Sequence, residues 1–531
     1  MWQTAWVPGQ REHQLEQLKS APQHWDVIVA GGGITGAGIA REAARRGLKV
    51  LLLERQDFAW GTSSRSSKMV HGGLRYIAAG DVKTTMHSVQ ERERLMTEAP
   101  GLVDQMGYLM AHYKGGFPGP FVFNTLLRIY DFFAGKRYRH YFKRDDFEYL
   151  SPLLNEHELI GGTQFADAVT DDARLVVRVL REAQKDGAVV LNYVGVKQLL
   201  KDGEQVVGAR VEDVLTGEGY DVKADVVINA TGAWADELRG QMTDEKKIRP
   251  ARGSHIVVPA WRLPVAQSFT AMHPDDKRPI FIFPWEGRTV IGTTDLDNNG
   301  IDNSEASMTR AELDYLLKVA RHQFPKADLA EKDIISSWAG VRPLVSSGAL
   351  NPSKEKRDHS VWDDKGLVSV SGGKLTTFRL IALDALEAAR KYIKRFPSGE
   401  FGAQIFTPAV SEHKKYQALP GYLQKRLSGH FGMDLDALLN LAKEGELDVI
   451  PGSRTLWAEL RWSAANESVK HLDDLLLRRT RLGLLLEQGG LGFIDKIRAV
   501  CAEELGWDNA HFQEELERYK AIWNKHYSVP K

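Results

Sequence analysis

The sequence predicts an α/β protein built from several packed units, and three observations carry that prediction. Asp26–Ala30 (DVIVA), a glycine turn over Gly31–Gly38, a helix over Ile39–Arg46 and a second strand over Lys49–Leu53 together make a βαβ unit. From Ile248 to about Val345 the periodicity changes to strands separated by turns (HIVVPA, PIFIFPW, RTVIGTTD), interrupted by one amphipathic helix around Ala311–Arg321, which predicts a mostly antiparallel second sheet. Beyond the Phe396–Glu412 stretch the chain is almost wholly helical and rich in Leu, Glu, Lys and Arg, with a boundary placed near residue 400. At about 150 residues per domain, 531 residues leave room for roughly three such units.

Between these landmarks, Asp171 is placed to cap a helix from Asp172 to about Lys185, and Val189–Val196, Val206–Val211 and Val226–Ala230 read as further strands of the first sheet. LVSVSGGKLTTF, after Lys365, repeats the order strand, glycine turn, helix. Composition narrows the function. Seventy basic residues balance seventy acidic ones, so no global field draws the chain to nucleic acid. The single cysteine, Cys501, excludes an internal disulfide framework and any cluster held by several thiolates, and fits a reducing compartment. No His or carboxylate spacing marks a metal site. The first 25 residues lack the apolar core of a signal peptide, so a cytoplasmic location is expected. No stretch approaches the ~20 apolar residues of a span; the nearest, Phe121–Ala134, contains Asn124, Arg128 and Asp131.

Gly31, Gly33 and Gly36 satisfy GxGxxG, the pattern that gives a tight turn, lets a pyrophosphate approach the backbone and packs helix on strand. The N-terminus of the next helix favours phosphate. Glu54, at the end of the next strand, is placed to take ribose hydroxyls and disfavours a 2′-phosphate, which leaves NAD and FAD. The chain beyond the second strand decides between them. GTSSRSSKMVHGGLRY is small, hydroxylated and basic, and two distant segments, VVINATGAW with Gly232 and VSGGKLTTF with Gly372 and Gly373, share its character. Three such approaches favour one extended ligand, FAD, over three unrelated turns.

VIVAGGGITGAGIAREAARRG, TSSRSSKMVHGGLRY, DDARL, NATGAW, GSHIVV, GTTD, GVRPL, GGKLTT and RRTRLG, in that order, resemble the FAD-dependent glycerol-3-phosphate dehydrogenases of the aerobic, membrane-associated type. The resemblance spans most of the chain. It implies a glutathione-reductase-like FAD-binding domain interleaved with an antiparallel-sheet substrate domain, plus a helical C-terminal cap domain. The corresponding division is an extension over 1–25, FAD-binding parts over 26–111, 151–247 and 365–398, a membrane-facing segment over 112–150, a substrate-binding domain over 248–364 and a helical domain over 399–531. It also implies a cofactor set in which Gly31, Gly33, Gly36, Glu54, Gly232, Gly372 and Gly373 are joined by Ile34, Thr35, Thr62, Ser63, Ser64, Ser67, Lys68, His71, Gly72, Gly73, Val196, Ala230, Leu375 and Thr376.

Flavin oxidation of a secondary alcohol needs a group to take the hydroxyl proton and, for a phosphorylated polyol, cations to hold the phosphate, a task suited to the planar fork of arginine. The resemblance implies a substrate pocket lined by Arg75, Tyr76, Arg278, Arg342, Lys374 and His255, with Arg357 as a further member, followed by His359 where the family has an aromatic residue. Within this set His255 is expected to accept the proton. Arg342 and Lys374 are expected to orient the hydroxyl end, with the other arginines on the phosphate. Taken singly, each Arg reads equally well as a structural ion pair, and His255 as a core histidine.

PFVFNTLLRIYDFFA, wound as a helix, gathers Asn124, Arg128 and Asp131 in one polar stripe, and Lys136, Arg137, Arg139, Lys143 and Arg144 come next among aromatic residues. With the resemblance, this predicts docking on the anionic cytoplasmic face of the inner membrane and electron delivery to a membrane quinone. The helical C-terminus leaves two roles open: capping the flavin domain, or pairing two copies as a homodimer. Competing readings are an oxygen-using glycerol-3-phosphate oxidase, an amine or amino-acid oxidase of the same fold, and a non-catalytic FAD-dependent membrane-binding protein.

Overall fold

The computed structural model describes residues 6, 9–20, 23–74, 77, 81–298, 304–346, 358–398, 401–402 and 404–531. Two sheets organise them. In the first, the strands run in the order His359–Asp364, Leu367–Gly372, Gly219–Asn229, His24–Ala30, Val50–Glu54, Val189–Asn192, and all pairings are parallel except that of the outer His359–Asp364 strand. Its central strands are nearly unbroken apolar runs because both faces are covered. Val27, Val29, Val50 and Leu52 pack under the helices Ile34–Ala44, Asp172–Lys185 and Phe378–Ala389, while Ile28, Leu51 and Leu53 pack under the antiparallel strands Val194–Asp202 and Gln205–Asp213. The N-terminal extension covers the outer strand Val189–Asn192. Trp6 Nε1 donates to Val190 O at 3.2 Å and Arg11 Nε to Asn192 O at 2.9 Å, which occupies carbonyls that an open sheet edge would expose.

The second sheet has ten strands and is antiparallel apart from the pairing of Ser268–Met272 with Val103–Tyr113. One face buries Ile256, Ile280, Ile282 and Ile291 against the helix Arg310–Gln323; the other buries Val257, Phe283, Val290 and Trp338 against the C-terminal helices. The chain crosses between the sheets repeatedly.

The first helix of the βαβ unit begins at Ile34, with Gly33 as N-cap, inside the stretch that reads as a glycine turn. Gly36 and Gly38 lie within this helix, where a Cβ would clash with Gly31 and Phe378. Val103–Tyr113, which spans the expected division at 111, and Leu159–Thr170 pair with each other in the second sheet, and His359–Asp364 belongs to the first sheet. Alternation identifies a strand but not the sheet it joins. The helix Pro120–Ala134 also turns differently from the expectation of a single polar stripe. Asp131 is buried, accepting from Tyr138 N at 3.1 Å and Arg139 Nη1 at 2.5 Å, and the outward face carries Phe121, Val122, Ile129 and Phe132 with Thr125 and Arg128.

Candidate active site

A cleft of about 360 Å³ lies beyond the carboxyl ends of the parallel strands, where ligands sit in open α/β sheets. Gly31, Gly33, Ile34, Thr35, Glu54, Thr62, Ser63, Val196, Ala230, Gly232, Gly372, Gly373, Lys374 and Leu375 line it. Close approach dictates two of the glycines. A Cβ on Gly31, whose φ is +111°, would lie 2.5 Å from Ala230 O, and one on Gly36 would lie 1.9 Å from Gly31 O. The helix N-terminus at Ile34 is fixed by donation of its N–H to Ser63 Oγ at 3.0 Å. Glu54 accepts from Gly32 N at 2.6 Å and Gln56 N at 2.8 Å, while burial pushes its carboxyl upward. A cleft with backbone approaches, a helix N-terminus and one carboxylate has the shape and donors that a dinucleotide requires.

Gly36, Ser64, Ser67, Lys68, His71, Gly72, Gly73 and Thr376 do not line the cleft. Gly36 acts from behind, through its fit against Gly31. His71 N donates to Thr376 Oγ1 at 3.1 Å, which ties the HGG turn to the turn before the helix Phe378–Ala389, and Gly72 N donates to Tyr130 OH at 2.8 Å. The ammonium of Lys68 is fully buried in an ion pair with Asp172 at 2.8 Å, facing the protein interior. Burial, and next the positive charge of Arg481, hold it down at about 7 against the opposing pull of Asp172.

A second cluster sits on the antiparallel sheet. His255 pairs across strands with Trp338 on one side and Gly292 on the other. Its ring stacks on Trp338 at 4.8 Å and 16°, and Gly292 is required because a Cβ there would meet the imidazole at 2.1 Å. Nε2 is 2.9 Å from Ser67 Oγ, whereas Nδ1 is buried with no hydrogen-bond partner among the described residues. Burial, then the charges of Lys68 and Arg342, hold His255 well below the usual histidine range, so it is a neutral imidazole.

On the adjacent strand, Arg342 Nη1 donates to Asp295 Oδ1 at 2.9 Å, and Arg278 Nη2 lies 3.4 Å from Asp295 Oδ2. One buried carboxylate thus holds two guanidiniums close together. Asp295 had no assigned role in the sequence; its signal was its place as the one carboxylate of GTTD, just after a strand. Pro343, the next residue of the strand after Arg342, lines the cleft. Lys374 donates to Ser88 Oγ at 2.6 Å, and burial lowers it to about 8, against Asp167, Asp358 and Asp81. If Lys374 binds an anionic substrate, KM rises several-fold between pH 7 and 9 as its ammonium loses the proton; steady-state kinetics of Lys374→Arg, which stays charged, should flatten that rise. Arg75, Tyr76 and Arg357 lie outside the described residues, as does much of the segment before His359. No group of three or more His, Cys, Asp or Glu residues among the described residues is arranged to hold a metal.

Residues 26–379 match the family described as FAD dependent oxidoreductase, and residues 398–512 match the C-terminal domain of alpha-glycerophosphate oxidase. The aerobic glycerol-3-phosphate dehydrogenase of Staphylococcus haemolyticus is 35% identical over 486 residues, covering 86% of this chain and 87% of that protein. The structure of the glycerol-3-phosphate dehydrogenase from Bacillus halodurans complexed with FAD superimposes with a TM-score of 0.75 at 29% identity, covering 96% of this chain and 97% of that one. L-α-glycerophosphate oxidase from Mycoplasma pneumoniae, at 18% identity, a TM-score of 0.56 and coverage of 69% of this chain and 95% of that one, shares the fold. The chain therefore belongs to the FAD-dependent oxidoreductases and, among them, to the aerobic glycerol-3-phosphate dehydrogenase family.

Proposed function

We propose that the glycine-lined cleft holds FAD and that the adjoining cluster binds sn-glycerol 3-phosphate, which is oxidised at its secondary hydroxyl to dihydroxyacetone phosphate, with the electrons passed to a membrane quinone. The observation that carries this reading is the Arg278–Asp295–Arg342 arrangement beside a buried neutral histidine. Arg278 and Arg342, held close together by Asp295, attract the phosphate through their planar forks, which puts Arg342 at the phosphate end and not at the hydroxyl end expected from the resemblance. His255 takes the hydroxyl proton; Nδ1 is its nitrogen without a partner, and Ser67 fixes the ring at Nε2. Bound in the cleft, FAD supplies the acceptor for the two electrons and the hydrogen that leave the substrate carbon. Thr62, Ser63 and the Gly372–Gly373 turn orient it.

The test is anaerobic mixing of FAD-loaded protein with sn-glycerol 3-phosphate, its enantiomer, glycerol and a panel of amino acids. Bleaching by the first alone is expected. Bleaching by an amino acid and not by the phosphate would overturn the reading in favour of an amino-acid oxidase.

The exposed helix Pro120–Ala134 favours a quinone over oxygen as acceptor. Phe121 and Phe132 are 84% and 81% exposed, Phe117 stands beside them at 81%, and Arg128, Arg137 and Lys143 face solvent around them. Lys136, Arg139 and Arg144 are ion-paired with Glu93, Asp131 and Glu148, so apolar insertion contributes more to docking than charge does. No described helix is long and apolar enough to cross a membrane. Each inserted phenylalanine is worth about 1.5–3 kcal/mol. The double variant Phe121→Ser, Phe132→Ser should therefore bind anionic liposomes at low salt at least about tenfold more weakly than the parent. A parent protein with no affinity for such liposomes removes the membrane assignment.

A further inference from the structure

The Asp57–Lys68 segment, which leads from the first sheet to the second, faces the cleft with Trp60, Gly61, Thr62, Ser63 and Ser66. Its rear is gripped by the C-terminal region at three places. Asp57 is fully buried and accepts from Arg479 Nη1 and Nη2, both at 2.8 Å, and from Arg478 Nε at 2.6 Å. Arg481 Nη2 donates to Ser64 O at 2.7 Å and to Asp172 Oδ1 at 3.0 Å, and Asp172 in turn accepts from Ser66 N at 2.9 Å and Lys68 Nζ at 2.8 Å. Tyr527 OH accepts from Arg65 Nη2 at 3.0 Å, while its own carbonyl accepts from Ser337 N at 2.7 Å. Among the described residues none beyond Leu375 lines the cleft, so the C-terminal region acts on a ligand there through the elements it holds, this segment among them.

Buried ion pairs of this kind are poor stabilisers compared with apolar packing of the same volume; what they supply is a fixed geometry. The geometry here is that of the segment carrying Thr62 and Ser63. We propose that the helical C-terminal region is a clamp that holds the Asp57–Lys68 segment in its FAD-binding form, with Arg481 and Tyr527 as positioning residues. FAD binding and docking of the region are then coupled, and the coupling acts equally in both directions. The proposal rests on the assignment of the cleft to FAD.

The test uses full-length protein stripped of FAD and titrated with it. Arg481→Gln should weaken FAD binding about tenfold, within the usual range of coupling between sites. Tyr527→Phe should weaken it several-fold, and Arg481→Lys should recover much of the loss. In the unaltered protein, FAD should slow amide exchange in Asp473–Leu486 and Trp523–Ser528, none of which lines the cleft. FAD affinity within twofold of the parent in both loss variants, with C-terminal exchange indifferent to FAD, overturns the clamp. If Arg481→Gln does not fold, Tyr527→Phe and the exchange measurement decide. Gly36→Ala separates the two claims: if it alone abolishes binding, only the clamp fails, and if it too binds FAD normally, the cleft assignment fails with it.

Discussion

Gly36→Ala should leave a chain that retains less than about a tenth of its FAD under conditions that saturate the parent. The added methyl would lie 1.9 Å from the carbonyl oxygen of Gly31, a backbone atom that cannot swing aside as a side chain would. Relief requires the helix Ile34–Ala44 to withdraw from the strand His24–Ala30, and that moves the helix N-terminus and the Gly31 turn together, the two features offered to a pyrophosphate. Overpacking of this kind typically costs about 1–3 kcal/mol, so the fold should survive with a lowered melting temperature while the cofactor is lost. Gly421→Ala is the matched control: a Cβ there meets nothing within 4 Å, and FAD content and melting temperature should stay at parental values. The ratio of flavin to protein absorbance after gel filtration reads both outcomes. Full flavin content in Gly36→Ala would count against the cleft as the FAD site.

That glycine was legible in the sequence because its demand is local: a strand, a turn and a helix within a few residues leave few places for a pyrophosphate to lie. Glu54 was legible for the same reason. The proton-accepting candidate and the arginines could be named only as a set, since a guanidinium in a sequence carries no sign of whether it faces solvent, a carboxylate or a pocket. Asp295 shows what was missing. It lies 47 residues from Arg342 and gains meaning only when Ile248–Pro259 pairs with Ser336–Val345 on one side and with Arg288–Gly292 and Leu296–Asp297 on the other, which brings the two within reach. The clamp was further out of reach, since Arg481 meets Ser64 across 417 residues. The face of the helix Pro120–Ala134 was misjudged because a polar stripe was expected to run along one helical line, whereas Asp131 is drawn inward by Arg139 and Tyr138 and the aromatic residues on the other side are left outside. In each case the deciding contact is long-range or displaces a local rule.

Arg342→Ala should lower kcat/KM for sn-glycerol 3-phosphate by at least tens of fold without releasing FAD. Removing one partner of a buried charge pair costs about 2–5 kcal/mol, and about 1.4 kcal/mol is a factor of ten. Two losses combine. One cation facing the substrate disappears, and Asp295, having lost its 2.9 Å contact to Arg342, draws Arg278, 3.4 Å away, toward itself and away from a phosphate. FAD should stay bound because Arg342 does not line the cleft. Asp295→Asn provides the contrast. It keeps both cations but loosens their spacing, so the defect should shift from substrate affinity toward turnover, and Arg342→Lys should fall between the two because an ammonium keeps the charge but not the fork. Near-parental efficiency in Arg342→Ala would remove Arg342 from the substrate site and transfer the phosphate to Arg278 and Lys374.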